Sequence, residues 1–294
     1  MESSNISQNR PLTFSVLMSI YRGDNPHYLE SALRSIYDRQ IRKPDQIIIV
    51  VDGPVSQDLA SIIDNFFVAH KQITTVVKLS QNSGLGIALC EGSKKCTGDY
   101  IFRMDSDDIS VPERFQIQEE YITSNPQIDA FGGYIEEFEN RPGDLCQVRR
   151  VPLSEPGIKK MLKMRNPMNH MTMCIRTNAL RTAGNYEHIP FCEDYYLWAK
   201  MLAKGLKLAN IPEVLVKVRV GNGFIGRRSS REYLSSWASV QRLLLENGLT
   251  TPLRRACALL SIRIFLYMPP SIKRFFYLKI LRSQRRSDLA TAGH

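Results

Sequence analysis

No run of about 18–20 apolar residues occurs anywhere in the 294-residue chain, so an ordinary membrane-spanning helix is not expected. The polar start, "MESSNISQNRPLT", lacks the apolar core of a secretion signal. The six cysteines (90, 96, 146, 174, 192 and 257) form no C-x-x-C pair, which excludes a zinc ribbon or a disulfide scaffold and points to a reduced, cytoplasmic setting. Neither a Ser-His-Asp order nor an H-E-x-x-H motif is present, so hydrolase readings find no support. Internal repeats and low-complexity tracts are also missing. Acidic residues are absent from 247–287, which carries nine Lys/Arg; the rest of the chain has 30 basic and 29 acidic residues. The net charge of +10 therefore belongs to the C-terminal segment and not to the fold as a whole.

What remains is a chain of ordinary composition, 43% hydrophobic and 23% charged, long enough for a sizeable core. Continuous apolar strands are expected at 14–20, 46–53, 73–79 and 99–104, and helices at 27–40, 56–70 (capped by Ser56) and 84–96. That alternation implies right-handed crossovers, an α/β fold and a mostly parallel sheet. Ligands in such sheets bind beyond the carboxyl ends of the strands. Tyr21, Asp52 and the 105–108 acids all fall there. Further along, the pattern predicts a helix from Pro112, an extended segment at 128–138, a short strand at 170–176, a helix at 193–205 and a strand at 214–220. Helices are expected over 230–247 and most of 251–284.

The strand "DYIFRM" runs directly into Asp105, Asp107 and Asp108. Residues two apart point the same way in an extended chain, so a D-x-D at a strand end suits a hard divalent cation, whose other ligands come from phosphate and water. The plainer alternative is a helix cap for Pro112 beside solvated acids. A calcium-binding EF-hand loop does not fit, because its central glycine is missing. Asp52 ends five consecutive β-branched residues and reads equally as an Asx-turn with Gly53-Pro54 or as an acceptor for a base or sugar. "QNSGLGIALCEG" offers two glycines before a helix, where backbone can approach a phosphate, but Leu89 replaces the third glycine of a dinucleotide fingerprint. Glu193 and Asp194 open a helix, either to complement its dipole or as a general base. Arg227 and Arg228 lie in a Gly-rich loop that is either a solvated basic loop or a clamp for a pyrophosphate. His170 reads as a contact to substrate or, more commonly, as a satisfied structural histidine.

Taken together, "SVLMSIYRGDNPHYLESALRSI", "DQIIIVVDGP", "LSQNSGLGIALCEG", "DYIFRMDSDD" and "FCEDYYLWAKML" resemble, in order, inverting nucleotide-sugar glycosyltransferases of family two, which have the GT-A fold. The nearest flavour is that of bacterial capsule, exopolysaccharide or O-antigen transferases of the amylovoran type. The resemblance spans roughly Phe14 to Arg228 and implies roles for individual residues. Asp52 would hydrogen-bond the base, usually uracil, in a pocket lined by Ser19 and Tyr21, with Asn82 and Gly84 near the nucleoside. Asp105 and Asp107 would meet ribose and a metal, Mn2+ or Mg2+, and Arg103 would join the nucleotide-binding group. Asp194 would be the catalytic base, and Arg228 would belong to a mobile basic loop. "GNGFIGRR" departs from the Q-x-x-R-W form of processive synthases, which argues against a polymerase.

These expectations divide the chain into a disordered or flexible N-terminus (1–12), a GT-A domain (13–229, with a nucleotide half at 13–110 and an acceptor half at 111–229) and a basic helical region (230–294). Pro269-Pro270 splits the last region into two short helices, read as lying on an anionic membrane surface or as merely covering the sheet. The expected partners are a UDP-sugar donor and a glycan acceptor carried on a lipid; no nucleic-acid recognition motif is present. Two other functions compete with transfer: a sugar-nucleotidyltransferase, for which "YRGDNPHY" is a poor loop, and a catalytically silent nucleotide-sugar binding protein, against which the D-x-D and Glu-Asp pairs argue.

Overall fold

Five consecutive β-branched residues, Ile47 to Val51, cannot turn a polar face to water, so their strand has to be covered on both sides. A computed structural model, which describes residues 11–220 and 231–268, places that strand inside the sheet. Strands β1 (Phe14–Tyr21), β2 (Gln46–Asp52), β3 (Thr74–Lys78) and β4 (Tyr100–Met104) pair in parallel in the order β3-β2-β1-β4. Helices α1 (Pro26–Ile36), α2 (Gln57–Ala69) and α3 (Leu85–Ser93) make the crossovers. Side chains alternate across the strands. Val16, Met18, Ile47 and Ile49 pack against Leu29 and Leu33 of α1 and Leu59 and Ile63 of α2, whereas Leu17, Ile48 and Val50 meet Ala88 and Leu89 of α3. Local signals set the helix starts. Asn25 accepts from the His27 and Tyr28 N–H groups ahead of Pro26, and Ser56 caps α2 through the Leu59 N–H.

Beyond β4 the sheet becomes mixed. The remaining elements are β5 (Ile109–Ser110), α4 (Arg114–Ser124), β6 (Ala130–Phe138), β7 (Gln147–Arg149), α5 (Glu155–Leu162), β8 (Cys174–Arg176), α6 (Thr177–Ala183), α7 (Glu193–Ala203), β9 (Leu208–Arg219), α8 (Arg231–Glu246) and α9 (Pro252–Tyr267). The full order is β3-β2-β1-β4-β8-β6-β9-β5, with β7 on β6. β8 runs antiparallel between β4 and β6, and β6 and β9 pair in parallel. The parallel expectation thus describes the first half of the chain, and the second half adds the antiparallel strands. The strand expected at 170–176 is a 3-10 turn, His170–Thr172, followed by β8. Inserting β8 beside β4 matters for the site, because α6 follows it and packs on β8, and α7 then packs on α6 and α3.

Helix α8 buries Trp237, Val240 and Leu244 in the same core as Trp198 of α7, so it packs as part of the main domain. Helix α9 packs on α8 and leaves Leu253, Leu260 and Ile264 exposed along one side. Among the described residues no helix is long and apolar enough to cross a membrane. Arg227, Arg228, residues 1–10 and the second C-terminal helix lie outside the described residues.

Candidate active site

The carboxyl ends of β1 and β2 lie side by side, with Tyr21 opposite Asp52 and Ser19 opposite Val50. Tyr21 is exposed and Ser19 partly so. Asp52 is buried, and both its oxygens are engaged: Oδ1 accepts from the Ser83 N–H (2.7 Å) and Oδ2 from the Gly84 N–H (2.9 Å). The Asn82 amide donates to the Asp52 carbonyl (3.2 Å). Gly84 stands at φ +90°, a conformation that side chains resist, and it leads directly into α3. Asp52, Asn82 and Gly84 are therefore brought together, as the sequence led one to expect. The carboxylate grips residues 83–84 and forms no Asx-turn with Gly53-Pro54.

The end of β4 is built differently. Arg103 is almost fully buried, sits opposite Leu17 in register, and is ion-paired through Nη2 to the partly exposed Asp105. Arg114 lies beneath it, donating through Nη2 to the Arg103 carbonyl (2.7 Å), and burial lowers the Arg114 pKa to about 9. Asp107 is pushed up to about 6 by burial and by the charges of Asp105 and Asp24. Asp24, from the β1–α1 loop, is likewise pushed up to about 6, chiefly by burial, although it accepts from the Tyr21 N–H (3.0 Å) and from Ser106. Asp108 is raised well above the usual carboxylate range by burial and by Asp107. It caps no helix. Helix α4 starts at Arg114, two residues after Pro112 and without a side-chain cap, and Asp108 instead accepts from the Arg219 N–H at the end of β9 (2.9 Å).

Helix α7 contributes the second acidic group. Glu193 and Asp194 occupy its first turn, where the helix dipole favours negative charge. Burial and the neighbouring Asp194 push Glu193 up to about 7, while Arg103 pulls it back. Asp194 is half-buried; its Oδ1 accepts from the Tyr195 N–H (2.7 Å) and its Oδ2 from the Asn166 amide (2.5 Å). The turn into α7 is strained, with the non-glycine Phe191 at φ +66°. A Cβ on Gly86 would lie 2.1 Å from the Glu187 carbonyl oxygen, so the absent side chain in α3 admits this chain's own 185–192 segment. His170 is buried, is pushed well below its ordinary pKa by desolvation, and shares a 2.9 Å hydrogen bond with the Tyr186 hydroxyl. It is structural, as expected.

The structure thus gathers Asp24, Asp105, Asp107, Asp108 and Glu193 around one buried cation, Arg103, whose charge acts on four of them in addition to its pairing with Asp105. The donor set suits a hard divalent cation, because it is all oxygen and mutually repelling, and Asp105 and Asp107 are not fully buried. Among the described residues no group of three His, Cys, Asp or Glu side chains forms a cage by itself, so phosphate and water would have to complete the shell. A cleft of about 190 Å³ lined by Val51, Pro54, Ala60, Ile63 and Leu79 lies beside Asp52 and includes none of these acids. Sequence reasoning missed Asp24 and Asn166. Asp24 was signalled only by an acid in the first loop of the carboxyl edge; Asn166 lies in an aperiodic stretch that carries no signal.

A family model described as glycosyl transferase family 2 matches residues 15–189. The chain is 36% identical over 266 residues to an amylovoran biosynthesis glycosyltransferase of Erwinia amylovora, covering 90% of this chain and 98% of that one. It is 35% identical over 272 residues, 92% and 96% of the two chains, to a UDP-Gal:alpha-D-GlcNAc-diphosphoundecaprenol beta-1,3-galactosyltransferase of Escherichia coli. Among solved structures it resembles S. aureus TarS 1-349 in complex with UDP-GlcNAc (TM-score 0.66, 16% identity, 92% of this chain and 76% of that one). It also resembles a mannosyltransferase from Pyrobaculum calidifontis in complex with GDP-Man and Mn2+ (TM-score 0.61, 14% identity, 97% and 77%). The fold is GT-A, as the resemblance implied.

Proposed function

Since this chain belongs to glycosyl transferase family 2 and is a glycosyltransferase, we propose that it moves a sugar, with inversion, from a UDP-sugar to a lipid-linked glycan during bacterial surface polysaccharide synthesis. The observation that carries this reading is the shared cation: Arg103 pairs with Asp105 on β4, and its charge acts on Glu193 in the first turn of α7. The D-x-D and the Glu-Asp pair are nearly 90 residues apart in sequence, and the charge of Arg103 acts on both Asp107 and Glu193. A leaving group held at the first and an acceptor hydroxyl deprotonated at the second would lie on opposite sides of the sugar between them.

The residues then take the following roles. Ser19, Tyr21, Asp52, Asn82 and Gly84 hold the nucleoside at the β1–β2 edge. Asp105 and Asp107 would hold Mn2+ or Mg2+, which would supply positive charge to the departing diphosphate. Asp194, oriented by Asn166, takes the proton of the acceptor hydroxyl. The hydroxyl oxygen forms a bond to the anomeric carbon as the bond to the diphosphate oxygen breaks, and the electron pair leaves with the nucleotide. A single displacement turns an α-linked donor into a β-linked product. Arg228, in the Gly-rich loop, would meet the diphosphate on closure. The exposed apolar side of α9 and the basic residues of 247–287 suit the anionic inner face of the cytoplasmic membrane, where a lipid-linked acceptor would be found.

The test is a panel of nucleotide sugars scored for hydrolysis and for transfer to a diphospholipid-linked sugar, with and without Mn2+, and with the product anomer assigned by NMR. Mn2+-stimulated transfer giving a β-product is expected. Metal-independent transfer or an α-product would refute the assigned mechanism.

A further inference from the structure

Three non-glycine residues among those described hold a positive φ, and Phe191 is the bulky one, at +66°. Asn185 meets the same demand with a side chain suited to it, its Oδ1 accepting from the Tyr186 N–H (2.8 Å). Cys146 lies in an exposed turn. At Phe191 the backbone is strained beneath an aromatic ring that is 43% exposed, so burial of the ring is not what the strain secures. The turn that carries it is fixed at both ends. Lys200 of α7 donates to the Gly184 and Asn185 carbonyls (3.3 and 2.6 Å), and the Cys192 N–H closes on the Ile189 carbonyl (2.9 Å). Tyr233 of α8 sets its ring at 71° to that of Phe191, with centroids 6.4 Å apart. An edge contact of this kind covers at most one face of the Phe191 ring and leaves another open. Three peptide units separate Phe191 from Asp194, which limits their Cα atoms to about 11 Å apart. Met164, also exposed, lies two residues before Asn166, whose amide bonds Asp194 (2.5 Å). Two exposed apolar residues thus stand within three positions of the Asn166–Asp194 contact.

We propose that the open face of Phe191 stacks on the sugar ring of the acceptor, which makes Phe191 an acceptor-binding residue. The inference rests on the glycosyltransferase reading above, with Asp194 as the base. A hexose whose hydroxyl meets Asp194 comes within reach of a ring three residues away. Axial C–H groups give a hexose an apolar face, and an aromatic ring takes that face out of water while the hydroxyls stay free for hydrogen bonds. The nucleoside, the other flat group in the reaction, is assigned to the β1–β2 edge, so the ring beside the base is left to the acceptor. A side chain already held by a fixed turn and by the Tyr233 edge loses little freedom when a sugar packs on it.

The test is steady-state transfer by the full chain from UDP-hexoses, in Mn2+, to hexoses joined through a diphosphate to a short alkyl chain. The wild type is compared with Phe191→Gly, Phe191→Leu and Phe191→Tyr. Glycine adopts φ +66° without strain, so Phe191→Gly removes the ring and spares the turn; it decides the matter if Phe191→Leu unfolds. Phe191→Gly and Phe191→Leu should raise the acceptor KM at least about tenfold and keep the donor KM within about threefold of wild type. Phe191→Tyr keeps the ring and should hold the acceptor KM within about threefold. An unchanged acceptor KM in Phe191→Gly, or equal weakening of donor and acceptor, would overturn the proposal and reduce Phe191 to a support for the turn. Phe191→Tyr as impaired as Phe191→Leu would overturn it too. Hydrolysis of a UDP-hexose without transfer to any acceptor of the panel would overturn the proposal and leave the donor half of the functional reading standing. Neither hydrolysis nor transfer by the wild type would overturn both.

Discussion

Asp52 and Asp107 are the same side chain at the same edge of one sheet, and their surroundings are opposite in kind. Asp52 is buried with both oxygens filled by backbone N–H groups of residues 83–84. Asp107 is crowded by Asp105 and Asp24, with Arg103 as the nearby cation, and is pushed up to about 6. The first carboxylate is finished by the fold: it ties the β3–α3 loop to β2. The second is held among like charges, the arrangement the proposed cation and diphosphate would relieve. Within one edge, a satisfied acid builds the scaffold and an unsatisfied one builds the chemistry.

The largest expected effect lies at the start of α7. Asp194→Asn should keep UDP-sugar binding and lower transfer by at least about 10²-fold, the scale of a lost general base. Near-normal transfer measured with a saturating acceptor would remove Asp194 from the mechanism.

The next effect is a pH dependence confined to the crowded acids. Asp24 and Asp107 are pushed up to about 6 and Glu193 to about 7, mainly by burial. Their unfolded values lie near 4, so between roughly pH 4 and 7 the native state holds more protons than the unfolded chain. The stability they contribute is full below the unfolded values and is lost as pH rises through about 6 to 7. The ligand-free protein should therefore be less stable at pH 7.5 than at pH 5, by on the order of a few kcal/mol. Mn2+ with UDP should flatten that slope by favouring the ionised acids. Thermal melts across pH give the answer, and a flat ligand-free profile would contradict the crowding.

On the satisfied side, Asp52→Ala should cost about 1–3 kcal/mol of folding stability, because two partly buried backbone donors lose a charged acceptor. Urea unfolding measures the loss, and one under about 1 kcal/mol would mean that water replaces the carboxylate. The smallest effect belongs to Asn82→Ala, which removes one hydrogen bond to the Asp52 carbonyl from an exposed side chain. A loss of about 0.5–1 kcal/mol, with weaker UDP binding, is expected from the same measurements.

The first half of the fold was legible because its signals are local. The β-branched run at 47–51 and Ser56 ahead of α2 each show their role within a few residues. Pro112 misled: its fixed φ suits a first helical turn, yet the chain starts α4 two residues later, and Asp108 was freed to hold β9. The pair of glycines at 84 and 86 looked like room for a phosphate. The room at Gly86 is taken by the Glu187 carbonyl, a contact that no window of sequence around residue 86 contains.

The sequence by itself determined the parallel half-sheet, the position of the D-x-D at its carboxyl edge and the family, because periodicity, caps and motifs are short-range properties. Only the tertiary structure decided that β8 enters antiparallel beside β4, that α7 thereby brings Glu193 under the charge of Arg103, and that Asp24 joins Asp107. Those pairings join residues tens of positions apart. They are set by which surfaces bury one another and which charges are left without water, and no local pattern encodes that.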